Sequence, residues 1–285
     1  MNRSSLNRPE LSDANGECPL VSIITPSFNQ AVFIERTIAS VESQDYPNVE
    51  HIVIDGGSSD GTLEILKQHP QLDWLSEPDD GQSSAINKGF KKAKGEIIGW
   101  LNSDDVYYPG AVREAVEYLQ AHPETALVYS DFIEIEADDH ERARVRTLPF
   151  DLGRMLNQGN LIPQPSTFFR REVFERAGYL NPDHRYAMDY DYWIRIAKSG
   201  LRLDRVDRCW SGFRLHGTSK TISESSRAWR EHRRISRSYG GKFLVPLFYG
   251  YRRLVYLRLA NSRFRSLGMR VNRVLRKLGL KGFHG

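Results

Sequence analysis

The sequence predicts an α/β fold built on a mostly parallel, doubly wound, Rossmann-like sheet. Three observations predict it. Short apolar runs alternate with helix-periodic segments through the first 130 residues, the pattern of βαβ units. Glycine- or carboxylate-bearing turns follow the ends of those runs, where open α/β sheets bind ligands. Hydrophobic residues make up 40% of the 285 and charged ones 27%, which suits a globular core.

Residues 20–25 read as a buried strand that stops at Pro26. Residues 32–44 follow as a helix, with Ile34, Ile38 and Val41 at i, i+4 and i+7. Residues 49–54 are a second strand and residues 62–68 a second helix, capped by Asp60 or Thr62. A short strand at 72–75, a helix at 84–94, a fourth strand at 96–101, a helix at 109–121 with Pro near its start, and a strand at 126–129 complete the alternation. Beyond Ser130 the pattern becomes mixed. Residues 132–135 and 145–148 flank an acidic turn and read as a hairpin. Residues 164–170 suggest a strand, 171–177 and 190–198 helices, and 203–206 and 212–215 two further strands.

The second strand ends in Asp55-Gly56-Gly57-Ser58-Ser59-Asp60-Gly61-Thr62. A carboxylate there, followed by flexible glycines, can accept from a ribose hydroxyl or a base N–H while the backbone approaches closely. An ordinary βα turn with a cap fits the same residues. Neither a G-x-G-x-x-G fingerprint nor a Lys-bearing phosphate loop is present, which removes support for dinucleotide redox and P-loop chemistry. Gly81-Gln82-Ser83-Ser84 opens the third helix, which carries Asn87, and such a start can face an anion or merely cap a surface helix. The fourth strand runs into Asn102-Ser103-Asp104-Asp105. Adjacent carboxylates repel unless a cation or water separates them. A hard divalent ion held by one or two carboxylates and by substrate phosphates is the usual magnesium or manganese arrangement. A turn that caps the next helix is the plainer alternative.

Asp189, in Met188-Asp189-Tyr190-Asp191-Tyr192-Trp193, stands where a helix should begin. It reads either as an N-cap or as a general base whose pKa nearby rings would raise. Asp191, two residues on, points to another helix face. A lone histidine such as His216 is more often structural than ligating, but Arg214 and Lys220 beside it suit a diphosphate.

Charge is strongly segregated. Residues 227–285 hold sixteen Lys and Arg against Glu231 alone, whereas residues 1–226 hold 24 bases and 35 acids. Apolar and aromatic residues are interleaved with the tail arginines, a pattern of amphipathic helices on an anionic membrane face. A helical flap on the acidic body is the alternative. No stacking or groove-reading module supports nucleic-acid binding. No apolar run approaches the roughly 20 residues that span a bilayer. Cys18 and Cys209 form no disulfide framework and read as free thiols of a reducing, cytoplasmic compartment.

Taken together, Thr25-Pro26-Ser27-Phe28-Asn29, the Asp55 to Thr62 loop, the Gly81 to Gly89 segment, Leu101-Asn102-Ser103-Asp104-Asp105 and Met188 to Trp193 resemble a family 2 glycosyltransferase with the GT-A fold. The resemblance spans about residues 20–220. It implies inverting transfer from a nucleotide-diphosphate sugar to a glycan or lipid-linked acceptor, with Mn2+ or Mg2+ as cofactor, in bacterial cell-surface polysaccharide synthesis. It implies that Asp55 contacts the base or ribose, that Thr25 and Pro26 line the same pocket, and that Asp104 holds the ribose. Gly81, Asn87 and Arg214 complete the expected donor set. It also implies Asp105 as direct metal ligand, His216 as a late metal ligand and Asp189 as catalytic base; Met188 stands where many relatives carry Glu. The expected layout is a disordered leader at 1–18, a transferase domain at 19–222 divided near 130 into donor and acceptor halves, and a basic amphipathic helical tail at 223–285, peripheral on the inner face of the cell membrane. A non-catalytic scaffold needs no acceptor-side base, and a sugar-nucleotide pyrophosphorylase would carry a Gly-rich, Arg-bearing loop where Ser27-Phe28-Asn29-Gln30 stands.

Overall fold

The computed structural model describes residues 18–217 and 225–242. Its first unit is the expected alternation: β1 (Val21–Ser27), α1 (Ile34–Glu42), β2 (Val49–Asp55), α2 (Thr62–Leu66), β3 (Asp73–Ser76), α3 (Gln82–Lys92) and β4 (Ile97–Trp100). The second unit is β5 (Val106–Tyr107), α4 (Ala111–Ala121), β6 (Thr125–Ile135), β7 (Glu141–Val145), α5 (Leu152–Gln158), a 3-10 turn at Gln164–Ser166, β8 (Thr167–Arg170), α6 (Val173–Ala177), α7 (Met188–Lys198), β9 (Arg202–Arg214) and a last described helix, α8 (Ser225–Ser238).

One sheet joins them in the order β3-β2-β1-β4-β8-β6-β9-β5, with β7 on β6. The first four strands are mutually parallel, β8 runs antiparallel between β4 and β6, and β6 pairs parallel with β9. Both faces are apolar, as a sheet covered by helices requires. On one side Ile24, Ile52, Ile54 and Trp100 pack with Phe90 of α3 and Trp193 of α7. On the other, Val21, Ile23, Val128 and Phe168 meet Ala115, Val116 and Leu119 of α4.

Several boundaries differ from expectation. β1 continues through Pro26 to Ser27, opposite Ile54 and Asp55. Ile24 C=O accepts from Leu101 on the β4 side and Ser27 C=O from Gly56 on the β2 side, so Pro26 faces β4. There β4 registers only with Val21 to Ile24, and the missing proline N–H breaks no ladder bond. The strands expected at 126–129 and 132–135 are one strand, β6. Its register shifts around Asp131, and the polar pair there is fully buried but satisfied. Ser130 Oγ accepts from Trp210 N–H, and Asp131 receives Arg205 at 2.8 Å and Thr147 N–H at 2.9 Å. Likewise β9 is one strand where two were expected, because β6 supports both halves. The hairpin's second strand, β7, lies at Glu141–Val145 and so precedes the expected 145–148. β5 and α5 had no counterpart in the sequence reading. The leader's first 17 residues and tail residues 243–285 lie outside the described residues.

Candidate active site

The parallel strands end along one edge, and the loops leaving that edge carry the candidate residues. The backbone fixes them by simple steps: Gly56 N–H donates to Ser27 C=O, Glu77 N–H to Asp55 C=O, and Leu101 N–H to Ile24 C=O.

Asp55 closes β2 fully buried. Its Oδ2 accepts from Gly57 N–H at 3.0 Å, Ser58 N–H at 2.8 Å and Ser76 Oγ at 2.8 Å, and its Oδ1 from Ser58 Oγ. The carboxylate thus shapes its own loop and ties it to β3. Gly81 precedes α3 with φ +114°, in the left-handed half of the map that favours glycine. The neighbouring side chains bridge two parts of the site. Gln82 Nε2 donates to Asn102 Oδ1 at 2.9 Å, and Ser83 Oγ donates to His184 C=O at 2.9 Å, on the segment that leads into α7.

Asn102 is the hub of the acidic loop. It accepts from Trp100 Nε1 at 3.0 Å and donates to Gln164 Oε1 at 2.7 Å, while Gln164 Nε2 donates to Trp100 C=O. The two aspartates that follow have different environments. Asp105 is 1% exposed; its Oδ1 accepts Arg214 N–H at 2.9 Å, and its C=O accepts from Thr37 Oγ1. Burial first, and the charge of Asp104 second, hold its carboxyl well above the usual carboxylate range. Asp104 is partly exposed, with Oδ2 3.0 Å from His216 Nε2. The His216 ring leans on Phe33, with centroids 4.5 Å apart. The accessible carboxylate beside the late histidine is therefore Asp104, while Asp105, expected as direct ligand, is buried.

Three further expected site residues have their side chains engaged within the protein. Thr25 is fully buried, and its hydroxyl bonds His51 Nε2 at 2.9 Å within the sheet rather than lining a pocket. Both ends of the Asn87 amide are committed to Leu180, donating to its C=O and accepting its N–H, each at 2.9 Å. The Arg214 side chain has no exposed surface. Its guanidinium donates to the C=O groups of Asp104 (2.7 Å), Glu136 (3.0 Å) and Ala137 (3.3 Å) and pairs with Asp139 at 2.5 Å, so it braces the acidic loop.

Asp189 is the second residue of α7 and not its cap; the capping position is Ala187, which has no side-chain acceptor. The Asp189 carboxylate accepts from Asn160 Nδ2 at 2.6 Å and Tyr190 N–H at 2.8 Å. Burial raises its pKa, opposed by His232 nearby and by those two donors. Asp191 does face elsewhere: buried, it receives Arg195 at 2.8 Å and Tyr239 O–H at 2.9 Å. Gln82, Asn102, Asn160 and Gln164 were not singled out as site residues by the sequence reading. Gln82 and Asn102 lie inside motifs quoted from the sequence, whereas Asn160 and Gln164 carry no local signal of a role.

Among the described residues, no three His, Cys, Asp or Glu side chains converge as a closed metal cage. A partly exposed carboxylate and an imidazole 3.0 Å apart instead fit a divalent ion whose remaining positions substrate phosphates would fill.

The glycosyl transferase family 2 model matches residues 22–178. The chain belongs to that family. An uncharacterized glycosyltransferase of Rickettsia felis is 30% identical over 220 residues, 72% of this chain but 36% of its own length, so the chain spans about a third of that relative. A putative teichuronic acid biosynthesis glycosyltransferase of Bacillus subtilis, TuaG, is 28% identical over 229 residues, 77% of this chain and 89% of TuaG. The mannosyltransferase PcManGT of Pyrobaculum calidifontis, solved with GDP-Man and Mn2+, superposes with a TM-score of 0.60 at 21% identity, covering 91% of this chain and 75% of that one. The fold is GT-A, a mixed α/β domain around a curled sheet.

Proposed function

We propose that the chain transfers a sugar from a nucleotide-diphosphate sugar to an acceptor hydroxyl with inversion at the anomeric carbon. The observation that carries this reading is the two-sided grip of α3. Gln82 holds the Asp104 loop through Asn102, and the adjacent Ser83 holds the segment that presents Asp189. One helix start thereby links a donor-side carboxylate with an acceptor-side one, as direct displacement needs.

Asp55, Pro26 and Gly81 line the nucleotide pocket at the sheet edge. Asp104 and His216 would hold Mn2+ or Mg2+ together with the donor phosphates, and the ion would supply positive charge against that developing on the leaving diphosphate. Asp189 accepts the acceptor hydroxyl's proton as that oxygen attacks the anomeric carbon and the bond to the nucleoside diphosphate breaks. One acceptor-side carboxylate suffices, since a covalent intermediate would need a second nucleophilic one. PcManGT's complex with GDP-Man and Mn2+ supports the donor and metal reading, and TuaG's description, teichuronic acid biosynthesis, supports a glycan acceptor. Among the described residues no helix is long and apolar enough to cross a membrane. The basic tail favours peripheral attachment to the anionic inner face of the cell membrane. Liposome binding that survives deletion of residues 240–285 would remove that part of the proposal.

The test is a thermal-shift panel of UDP-, GDP- and dTDP-sugars, each with Mn2+, Mg2+ or EDTA. Stabilisation by one nucleotide only with metal is expected, because a ligand bound to the folded state alone raises the melting point. Asp189→Asn should retain that stabilisation and lose turnover. Full turnover in this variant would refute the base assignment.

A further inference from the structure

We infer that Glu231, on the helix that follows the expected transferase domain, positions the acceptor-side base. This inference rests on the reading of Asp189 above. The loop that enters α7 presents three consecutive N–H groups, those of Arg185, Tyr186 and Ala187. All three donate to Glu231: Arg185 to Oε2 at 3.2 Å, and Tyr186 and Ala187 to Oε1 at 2.9 Å each. A helix start needs acceptors for its first donors, which a Ser, Thr, Asp or Asn at the capping position normally supplies. Here that position is Ala187, which has no such side chain. Glu231 of α8, more than forty residues later, instead accepts from the capping residue's own N–H and from the two N–H groups before it, so it anchors the entry to α7 rather than filling the cap. Its negative charge also suits the positive end of α7.

The clamp is part of a wider seat. Ile235 of α8 is buried, Ser236 Oγ donates to Leu156 C=O at 2.7 Å, and Lys242 N–H donates to Asn157 Oδ1 at 2.7 Å, all against α5. The His232 ring stacks on Tyr190, the residue after Asp189, with centroids 5.0 Å apart and planes 29° apart. Tyr239 reaches Asp191 at 2.9 Å. α8 thus grips the first two turns of α7 from outside, and its strongest grip lies two to four residues before Asp189. A carboxylate serving as base must stand within hydrogen-bond reach of the hydroxyl it deprotonates. Freeing the α7 entry shifts that carboxylate relative to the acceptor while leaving the donor loops, which Asn102 and Arg214 hold, in place.

The experiment compares the full chain with Glu231→Ala, Glu231→Gln and Asp189→Asn. Hydrogen exchange at residues 185–187 is read first and needs no substrate: it accelerates in Glu231→Ala and stays close to wild type in Glu231→Gln, whose remaining amide oxygen can keep the two Oε1 bonds. Nucleoside diphosphate release, with water as acceptor, is then followed from each UDP-, GDP- and dTDP-sugar of the panel. Glu231→Ala lowers kcat about 10²-fold, the scale of a 1 Å misplacement, with KM for donor unchanged. Glu231→Gln restores kcat to within a few-fold. Unchanged exchange at 185–187, or a Glu231→Ala chain with lower melting point but wild-type kcat per folded molecule, overturns the inference. Turnover retained in Asp189→Asn overturns the base reading instead, so the two failures are distinguishable.

Discussion

Replacing Arg214 with methionine separates a brace from a ligand. The guanidinium is fully buried and donates to the carbonyls of Asp104 and Glu136, and its pair with Asp139 reaches a side chain that is 46% exposed. The exposed partner can rehydrate, so that pair adds little. The charge-assisted bonds to carbonyls, a longer one to Ala137 at 3.3 Å among them, dominate, and losing them costs about 3 kcal/mol once partial rehydration of the carbonyls is allowed. For a domain of this size that is a fall of roughly 6–12 °C in melting point. Methionine fills most of the side chain's volume, so a cavity adds little further loss. Arg214 N–H still meets Asp105, because the backbone is retained. The assay is a thermal melt with and without the selected nucleotide and Mn2+. The expected result is a large fall for the apo chain and a ligand increment that survives in reduced form. An apo melting point within about 1 °C of wild type, combined with a lost nucleotide increment, would mean that the guanidinium contacts the donor and that the bracing argument is wrong.

Asp104→Asn and His216→Ala should each abolish the Mn2+-dependent part of nucleotide stabilisation, whereas Asp105→Asn should keep it and be neutral or stabilising, since it removes a charge that burial disfavours; loss of the metal response in Asp105→Asn would reverse the assignment. Asn87→Ala should cost about 1–3 kcal/mol by stranding the Leu180 N–H and C=O, with donor binding intact in a nucleotide titration. His51 is buried, and burial, then the nearby charge of His69, push its pKa down to about 3. Its folded pKa lies below its unfolded one, so its contribution is present above about pH 6.5 and is lost as pH falls toward 3, at about 1.4 kcal/mol per unit and roughly 2 kcal/mol between pH 7 and pH 5. His69, whose pKa Glu35 and Glu42 raise, works in the opposite sense over the same range, so the check is the difference between His51→Gln and wild type in melts across that window. Turnover should fall on the acid side at a pH above the usual carboxylate range, because burial raises the pKa of Asp189; a limb near pH 4 would contradict that.

The first half of the fold was legible because its information is local. Apolar runs and 3.6-residue periodicity mark β1 to β4, their helices and α4 within windows that need no knowledge of partners. The second half was less so because its strands are specified by neighbours. Ser130-Asp131 reads as a break until Arg205 and Thr147 arrive from distant segments to satisfy the carboxylate. The same division runs through the site. Residue types and strand ends located the acidic loop and the α7 start, since carboxylates in those places announce themselves. Whether Thr25, Asn87 or Arg214 points at a ligand or at the protein depends on pairs such as Thr25 with His51 and Asn87 with Leu180, which lie 26 and 93 residues apart. Glu231 was visible only as the lone acid in a basic tail, and nothing local told its purpose.

The late segments make the early loops usable. Asp104 and Asp105 lie beside each other at the end of β4, an arrangement their mutual repulsion opposes. What separates their roles arrives more than a hundred residues later. The end of β9 delivers Arg214 N–H to Asp105 at 2.9 Å, which turns that carboxylate inward, and two residues on His216 meets Asp104 at 3.0 Å at the accessible edge. One strand end thus sorts two chemically identical side chains into a buried one and an open one. α8 does the comparable task for α7 through Glu231. On the proposed function, neither the Asp104 station nor the Asp189 station is oriented until β9 and α8 have docked. Competence for chemistry should therefore follow closure of the C-terminal elements, and hydrogen exchange should find the α7 entry and the acidic loop opening with β9 and α8 rather than with β1 to β4.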